Sequence, residues 1–348
     1  MRLLTRRTAC AVLLLLAAAA CGRTSRRAPG DLRIGFVLHG LNDFTQVIKQ
    51  GALAAGRDLG VDVEVIGPAG FVASESIGMF EAMVQKKVAG IAVVPQPGAQ
   101  WVRPIRDAVA DGIPIVTANV TSAGSAAAAW VGQDERNSGV LLARELRKLL
   151  EAEGKLDGKV VVGSCAPAED VLRARYDGFR EGMAGTKYSV TDAYDVTTEN
   201  TRNYGTWENL ASANKDMIAA VGLCSLDIPN MAKVKARSGA KWLIAGYDLN
   251  LETLDAIKAG VAQVTAGQHP YRQGYLPVRA LVEHLRGKKP LVQGWIDVGT
   301  EVVTKANVDS VYQREADDDA EARWYVKHMA EAFKDLPAVA KPFPWRRN

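Results

Sequence analysis

Apolar positions along this chain follow two alternating patterns. The stretch Leu32-Arg33-Ile34-Gly35-Phe36-Val37-Leu38 is short, apolar and rich in β-branched and aromatic residues, which predicts a buried parallel strand. It breaks into His39-Gly40-Leu41-Asn42-Asp43, a loop composition. From Phe44 the apolar residues Val47, Ile48, Leu53 and Leu59 recur at helical spacing, with Gly51 among them. The same strand–loop–helix unit then repeats. Strands are expected at Val61–Ile66, Gly90–Val94 and Ile113–Thr117, with a short extended piece at Ala127–Val131. Helices are expected at Val72–Lys86 and Gln100–Asp111, and Asp134 is placed to cap one that runs through Glu153.

A second series follows the first. Strands are expected at Lys159–Ser164, Tyr188–Asp195, Ala219–Leu223, Trp242–Tyr247, Val261–Thr265 and Gly294–Val303. The intervening helices fall near Ala168–Met183, Asn200–Lys215, Ile228–Arg237 and Tyr271–Arg286. Alternation with short loops implies parallel sheets covered by helices on both faces, and two series imply two doubly wound α/β lobes. In such sheets the loops leaving the carboxyl ends of the strands gather ligand groups, so a cleft between the lobes is the expected site. The stretch Asp317–Asp335 is acidic at its start, and Tyr325, Met329, Phe333 and Leu336 at helical spacing predict an amphipathic helix lying on the body, a partner-binding face being the alternative. Pro337–Asn348 is Pro-rich and basic at its end, and reads as poorly ordered.

The N-terminus changes the picture of where the chain resides. Arg2, Arg6 and Arg7 precede the apolar run Ala9–Ala20, the layout of an export signal rather than of a spanning helix. Ala18-Ala19-Ala20-Cys21 resembles the bacterial lipoprotein box, which makes Cys21 the lipid acceptor, although Ala18 stands where Leu is preferred. The alternative is a secreted protein cut near Ala20. Arg23–Gly30 would then be a polar tether.

Charge narrows the partners. The full chain has 43 basic and 39 acidic side chains; losing residues 1–20 removes three arginines and leaves 40 against 39. Such a balance gives no electrostatic reason to bind nucleic acid, and no basic cluster, helix-turn-helix or zinc-finger spacing is present. Cys165 and Cys224 remain in the mature body without a CxxC pair, and no metal or cofactor is expected. Each closes an expected strand, and the doubly wound order makes those strands neighbours. They should lie close in space, either as a disulfide or as two buried thiols.

A dispersed set of segments stands out: Arg33–Val37 with Leu41-Asn42-Asp43-Phe44, then Gly112–Thr117, Arg173–Phe179, Gly246-Tyr247-Asp248, and Gln268 after Val264-Thr265. Together they resemble the sugar-binding receptors of bacterial ABC importers, the ribose- and galactose-type periplasmic binding proteins. The resemblance covers about Leu32 to Val311. It implies the type I fold of that family, with a first lobe of residues 32–133 plus 268–296 and a second of 134–267 plus 297–311. Residues 312–348 are left as a C-terminal helix and tail.

The same resemblance implies the binding residues. A buried sugar needs its hydroxyls paired and its weakly apolar faces covered, and Asp, Asn, Gln, Arg and aromatic rings supply this. Asn42, Asp43, Asn119, Arg175, Asp248 and Gln268 occupy matching polar positions. Arg175 could alternatively be a surface arginine paired with Asp177 or Glu181, and Asp248 could be a helix cap before Leu251. Asn119-Val120 replaces the family's Asp-Arg pair, and Cys224 stands where the family has a binding Asn. The family's paired phenylalanines are absent, so Phe44 and Trp101 are the leading ring candidates, ahead of Trp207, Tyr176, Tyr247 and Tyr271.

The expected function is capture of a sugar or polyol by a monomeric, lipid-anchored receptor that delivers it to a separate ABC permease and ATPase. A receptor of the same fold for a nucleoside or furanose-like signalling molecule is the second reading, and a sugar hydrolase or isomerase the third. No GxSxG, Walker A, HExxH or GxGxxG motif supports an enzyme. Of the histidines His39, His269, His284 and His328, none has metal-ligand spacing.

Overall fold

Two six-stranded sheets carry the structure among the described residues. The computed structural model describes residues 32–287 and 289–344. The expected export signal, Cys21 and the tether lie outside the described residues. The first series runs β1 (Arg33–Val37), α1 (Asp43–Leu59), β2 (Asp62–Ile66), α2 (Ala73–Gln85), β3 (Gly90–Val93), α3 (Val102–Ala110), β4 (Ile115–Ala118) and β5 (Ala129–Gly132). The second runs α4 (Glu135–Ala152), β6 (Asp157–Ser164), α5 (Asp170–Met183), β7 (Lys187–Asp195), α6 (Asn200–Ala213), β8 (Met217–Gly222), α7 (Asp227–Ser238), β9 (Leu243–Tyr247), α8 (Leu251–Lys258) and β10 (Val264–Gly267). The chain closes with α9 (Pro270–Leu285), β11 (Gly294–Asp297), β12 (Glu301–Thr304), α10 (Val308–Glu315), α11 (Asp318–Ala332) and α12 (Leu336–Val339).

The strand orders are β11-β5-β4-β3-β1-β2 and β12-β10-β9-β8-β6-β7. Strands β1 to β5 therefore correspond one for one to β6 to β10, and the two lobes repeat one plan. Pairing is parallel except for β12, which runs antiparallel to β10 at the edge of its sheet. The central strands are wholly buried, as Ile34, Phe36 and Val37 are in β1, because helices cover both faces. No helix of the described residues is long and apolar enough to cross a membrane.

The chain passes between the sheets after β5, after β10 and after β11. It then crosses a fourth time. α10 packs on α8 in the second lobe, whereas Tyr325 and Met329 of α11, with Phe333 and Leu336, join the core of the first. The predicted amphipathic face is thus built into the first lobe.

Four local expectations differ from the structure. The single strand expected at Gly294–Val303 is two strands in different sheets. Gly299, at φ 81°, turns the chain between them, and its N–H donates to Asp297 Oδ1 at 2.9 Å. Helix α8 was not among the expected helices, and its closing turn takes Val261, whose N–H donates to the Ala256 carbonyl, so β10 begins only at Val264. The cap of α8 is Asn250, whose Oδ1 accepts from Thr253 N–H, and not Asp248. The segment after Pro337 is ordered as far as it is described. Lys341 exchanges two backbone hydrogen bonds of 2.7 Å with Trp295 of β11, closing the sheet edge.

Candidate functional site

A cavity of about 430 Å³ opens between the lobes, within the range of small-molecule sites. Its walls are the loops at the carboxyl ends of the strands. The first lobe contributes His39, Asn42 and Phe44 after β1, Phe71 after β2, Gln96 after β3 and Asn119 after β4. The second contributes Cys165 after β6, Asp195 at the end of β7, Cys224 after β8 and Asp248 after β9. Gln268, which follows β10 where the chain leaves the second sheet, and Arg175 of α5 add to the polar lining.

Gln268 joins three other expected residues into one network. Its Oε1 accepts from Asn119 Nδ2 at 3.1 Å and from Arg175 Nη2 at 3.0 Å, and its Nε2 donates to Asp248 Oδ1 at 2.7 Å. Asn119 and Asp248 end equivalent strands, β4 and β9, and both adopt left-handed backbone, with φ of 57° and 74°. That conformation is tolerated by Asn and Asp more readily than by most residues, and it turns each chain sharply at the cleft.

Arg175 is placed by helix packing. In α4, Gly139 faces α5 so closely that a Cβ there would lie 2.1 Å from the Arg175 carbonyl oxygen. The bare glycine brings the helices together and sets the depth of the guanidinium. Its partner is neither Asp177 nor Glu181 but Glu135, in the first turn of α4. Nε and Nη2 donate to the two Glu135 oxygens at 2.5 and 3.1 Å, and Nη1 donates to the Leu223 carbonyl at 2.9 Å. The Tyr247 ring lies 4.3 Å from the guanidinium carbon. Burial opposes the charge on Arg175, and the Glu135 carboxylate outweighs it, so the guanidinium holds its proton more firmly than usual. Burial also pushes the Asp248 carboxyl above its ordinary range, with Arg175 opposing.

Asn42 has two roles. Its Oδ1 accepts from Thr45 N–H at 2.9 Å, while the Thr45 hydroxyl accepts from the Asn42 N–H, a capping box that starts α1. Its amide end is left for the cleft, which Asn42 lines.

Two expected site residues lie elsewhere. Asp43 is exposed in the first turn of α1, since the helix starts there and carries its side chain outward. Trp101 is wholly buried against Phe80, rings 5.6 Å apart and nearly perpendicular, because the 3₁₀ turn Gly98–Trp101 drives it between helices. Of the remaining ring candidates, Tyr247 lies beneath Arg175, Tyr176 donates to the Thr191 carbonyl, Trp207 donates to buried Asp227, and Tyr271 stacks on Tyr325.

The aromatic wall comes instead from Phe44 and from Phe71, a residue sequence reasoning missed. Phe71 packs against the His39 ring with centroids 4.9 Å apart. Its only sequence signal was a phenylalanine between Gly70 and an expected helix. Burial lowers His39 to about 4, which leaves the imidazole neutral near pH 7. Opposite stands a disulfide between Cys165 and Cys224, Cα atoms 6.1 Å apart, joining the ends of β6 and β8. Of the two readings of these cysteines, the bonded one is the structure's.

Glu169 was also missed. It precedes α5 on the second lobe and lines the cleft together with the Gln96 side chain of the first, which favours its charged form. Burial raises this half-buried carboxyl above its ordinary range.

Residues 34–289 match the family described as periplasmic binding protein domain. The ribose import binding protein RbsB of Bacillus subtilis is 25% identical over 266 residues, spanning 74% of this chain and 83% of that protein. Among solved structures, the glucose-galactose binding protein GanP of Geobacillus stearothermophilus superposes with a TM-score of 0.72 at 25% identity, covering 80% of this chain and 98% of that one. An ABC transporter solute-binding protein of Burkholderia graminis, solved with D-arabinose, gives a TM-score of 0.75 at 23% identity over 82% of this chain and 99% of its own.

Proposed function

This chain belongs to the periplasmic binding protein domain family, and from that premise we propose that it captures a sugar or similar polyol between its lobes and hands it to an ABC permease. The observation that carries the reading is the Gln268 network, which binds strand tips of both lobes around one polar cavity. Asn42, Asn119, Arg175, Asp248 and Gln268 supply donors and acceptors for ring hydroxyls. Phe44 and Phe71 cover the sugar faces. Closure would follow the hinge motion open to two lobes joined by a few short segments. Relatives named for import of ribose and for binding of glucose and galactose support a transport role over an enzymatic one.

In this reading the chain's partners are a separate ABC permease and its ATPase. We place Cys21 as the lipid acceptor of an exported monomer; detergent-phase partition that survives Cys21→Ala would remove that assignment. The function itself is tested by thermal shift against pentoses, hexoses, polyols and nucleosides. A true ligand at about 100 times its Kd adds about 2.7 kcal/mol of stability, a readily visible rise in melting temperature. A shift confined to nucleosides would move the assignment to the nucleoside reading. Turnover of a sugar without any shift would restore the enzyme reading.

A further inference from the structure

The sugar reading leaves the charge of the guest open, and the lining of the cleft narrows it. Among the described residues lining the cavity, Glu169, Asp195 and Asp248 carry carboxylates, and Arg175 is the single arginine or lysine. The Arg175 charge is already met by Glu135 in a two-pronged contact, and four of its N–H···O bonds are committed within the protein. His39 is neutral. Asn119-Val120 brings no charge to the end of β4. Arg173, an exposed cation one turn along α5 and outside the cavity lining, pairs with Asp170 and also draws on Glu169. Within the lining, three carboxylates therefore face one guanidinium whose charge Glu135 already meets.

The three carboxylates are not equivalent. Asp248 accepts from Gln268 at 2.7 Å and lies in the field of Arg175. Asp195 is exposed and accepts from the Thr197 N–H at 2.9 Å. Glu169 is half-buried at the cavity wall, where the lining side chain that favours its charge is the uncharged amide of Gln96, and the exposed Arg173 acts on it from outside the lining. A carboxylate withdrawn from water is stabilised far better by an opposite charge than by a neutral donor.

Resting on the sugar reading, we propose that the cleft takes a polyol bearing a protonated amine, an amino sugar or amino alditol, with Glu169 receiving the ammonium group. An ammonium there would meet Glu169 at the point where Gln96 of the opposite lobe approaches it, so binding would also favour closure. Acid sugars would face like charges on entry and should be rejected.

Isothermal titration with matched sets tests this. D-galactose, D-galactosamine and D-galacturonate form one set, and the corresponding glucose and mannose compounds form two more. The expected result is that at least one amino sugar binds about tenfold tighter than its neutral parent, the margin of a charge-assisted over a neutral hydrogen bond, and that no uronate binds. Glu169→Gln should bring the ratio of amine to parent affinity close to unity, and Glu169→Asp should retain part of it. Neutral parents that bind as well as their amines in the wild-type protein overturn this inference and leave the sugar reading standing. A preference that survives Glu169→Gln overturns the role of Glu169. If no sugar in any set binds, the sugar reading and this inference fall together.

Discussion

Glu135 and Arg175 are both almost wholly excluded from water, at 5% and 4% exposure, so each charge depends on the other. Removing one member of a buried pair strands its partner and typically costs about 3–5 kcal/mol. Glu135→Gln keeps the shape and removes the charge, and is expected to lose stability at the low end of that range in urea denaturation. The double variant Glu135→Gln/Arg175→Met should recover part of the loss, because no charge then remains buried. Arg175 was legible in the sequence through the family it resembles. Glu135 was not, because an acid just after a helix cap reads as a favourable dipole contact and nothing more. Only the packing of α4 on α5 reveals that its carboxylate faces a residue 40 positions away. Trp101 illustrates the opposite failure: a ring near a strand end is as well placed for the core as for a ligand, and the turn before α3 decides.

At the scale of elements, alternating apolar runs gave away the strands and most helices. What they left out was where short segments change sheets. The turn at Gly299 is three residues of ordinary loop composition, and periodicity runs straight through it. Helix α11 was visible as an amphipathic stripe, yet a stripe says that a face is covered and not by which lobe. That helix also carries a pH-sensitive group. Burial pushes Glu321 up to about 8 from its ordinary 4.5, with the nearby acids Glu315 and Asp318 adding to the rise and Arg314 opposing it. The folded chain therefore keeps a proton that the unfolded chain releases. Stability from this group is full below about pH 4.5 and is lost as the pH climbs to about 8. Glu321→Gln has no charge to bury, so it should match the wild-type melt near about pH 5 and exceed it near about pH 9, by a margin on the order of 2 kcal/mol. Equal melts at the alkaline end would show that Glu321 is not buried as described.

For the whole molecule, the two-lobed plan followed from two series of the same unit. The fourth crossing did not, since it depends on Tyr325, Met329, Phe333 and Leu336 finding a home in the first lobe. All four are buried. Truncation after Ala316 should uncover that core, and side chains of this size each contribute about 1.5–3 kcal/mol when fully buried. The expected outcome in calorimetry is a lower, separate transition for the first lobe, with increased dye binding to the exposed surface. A single unshifted transition would mean the C-terminal helices are only laid on the outside.

Arg33 opens β1, and Lys341 stitches onto β11, so both positions are seated in the same half of the molecule. A handle attached at either position grips that half alone and leaves the other free to swing. Two labels placed there would be blind to the motion; one reporter must be carried between β6 and β9 for distance changes to register.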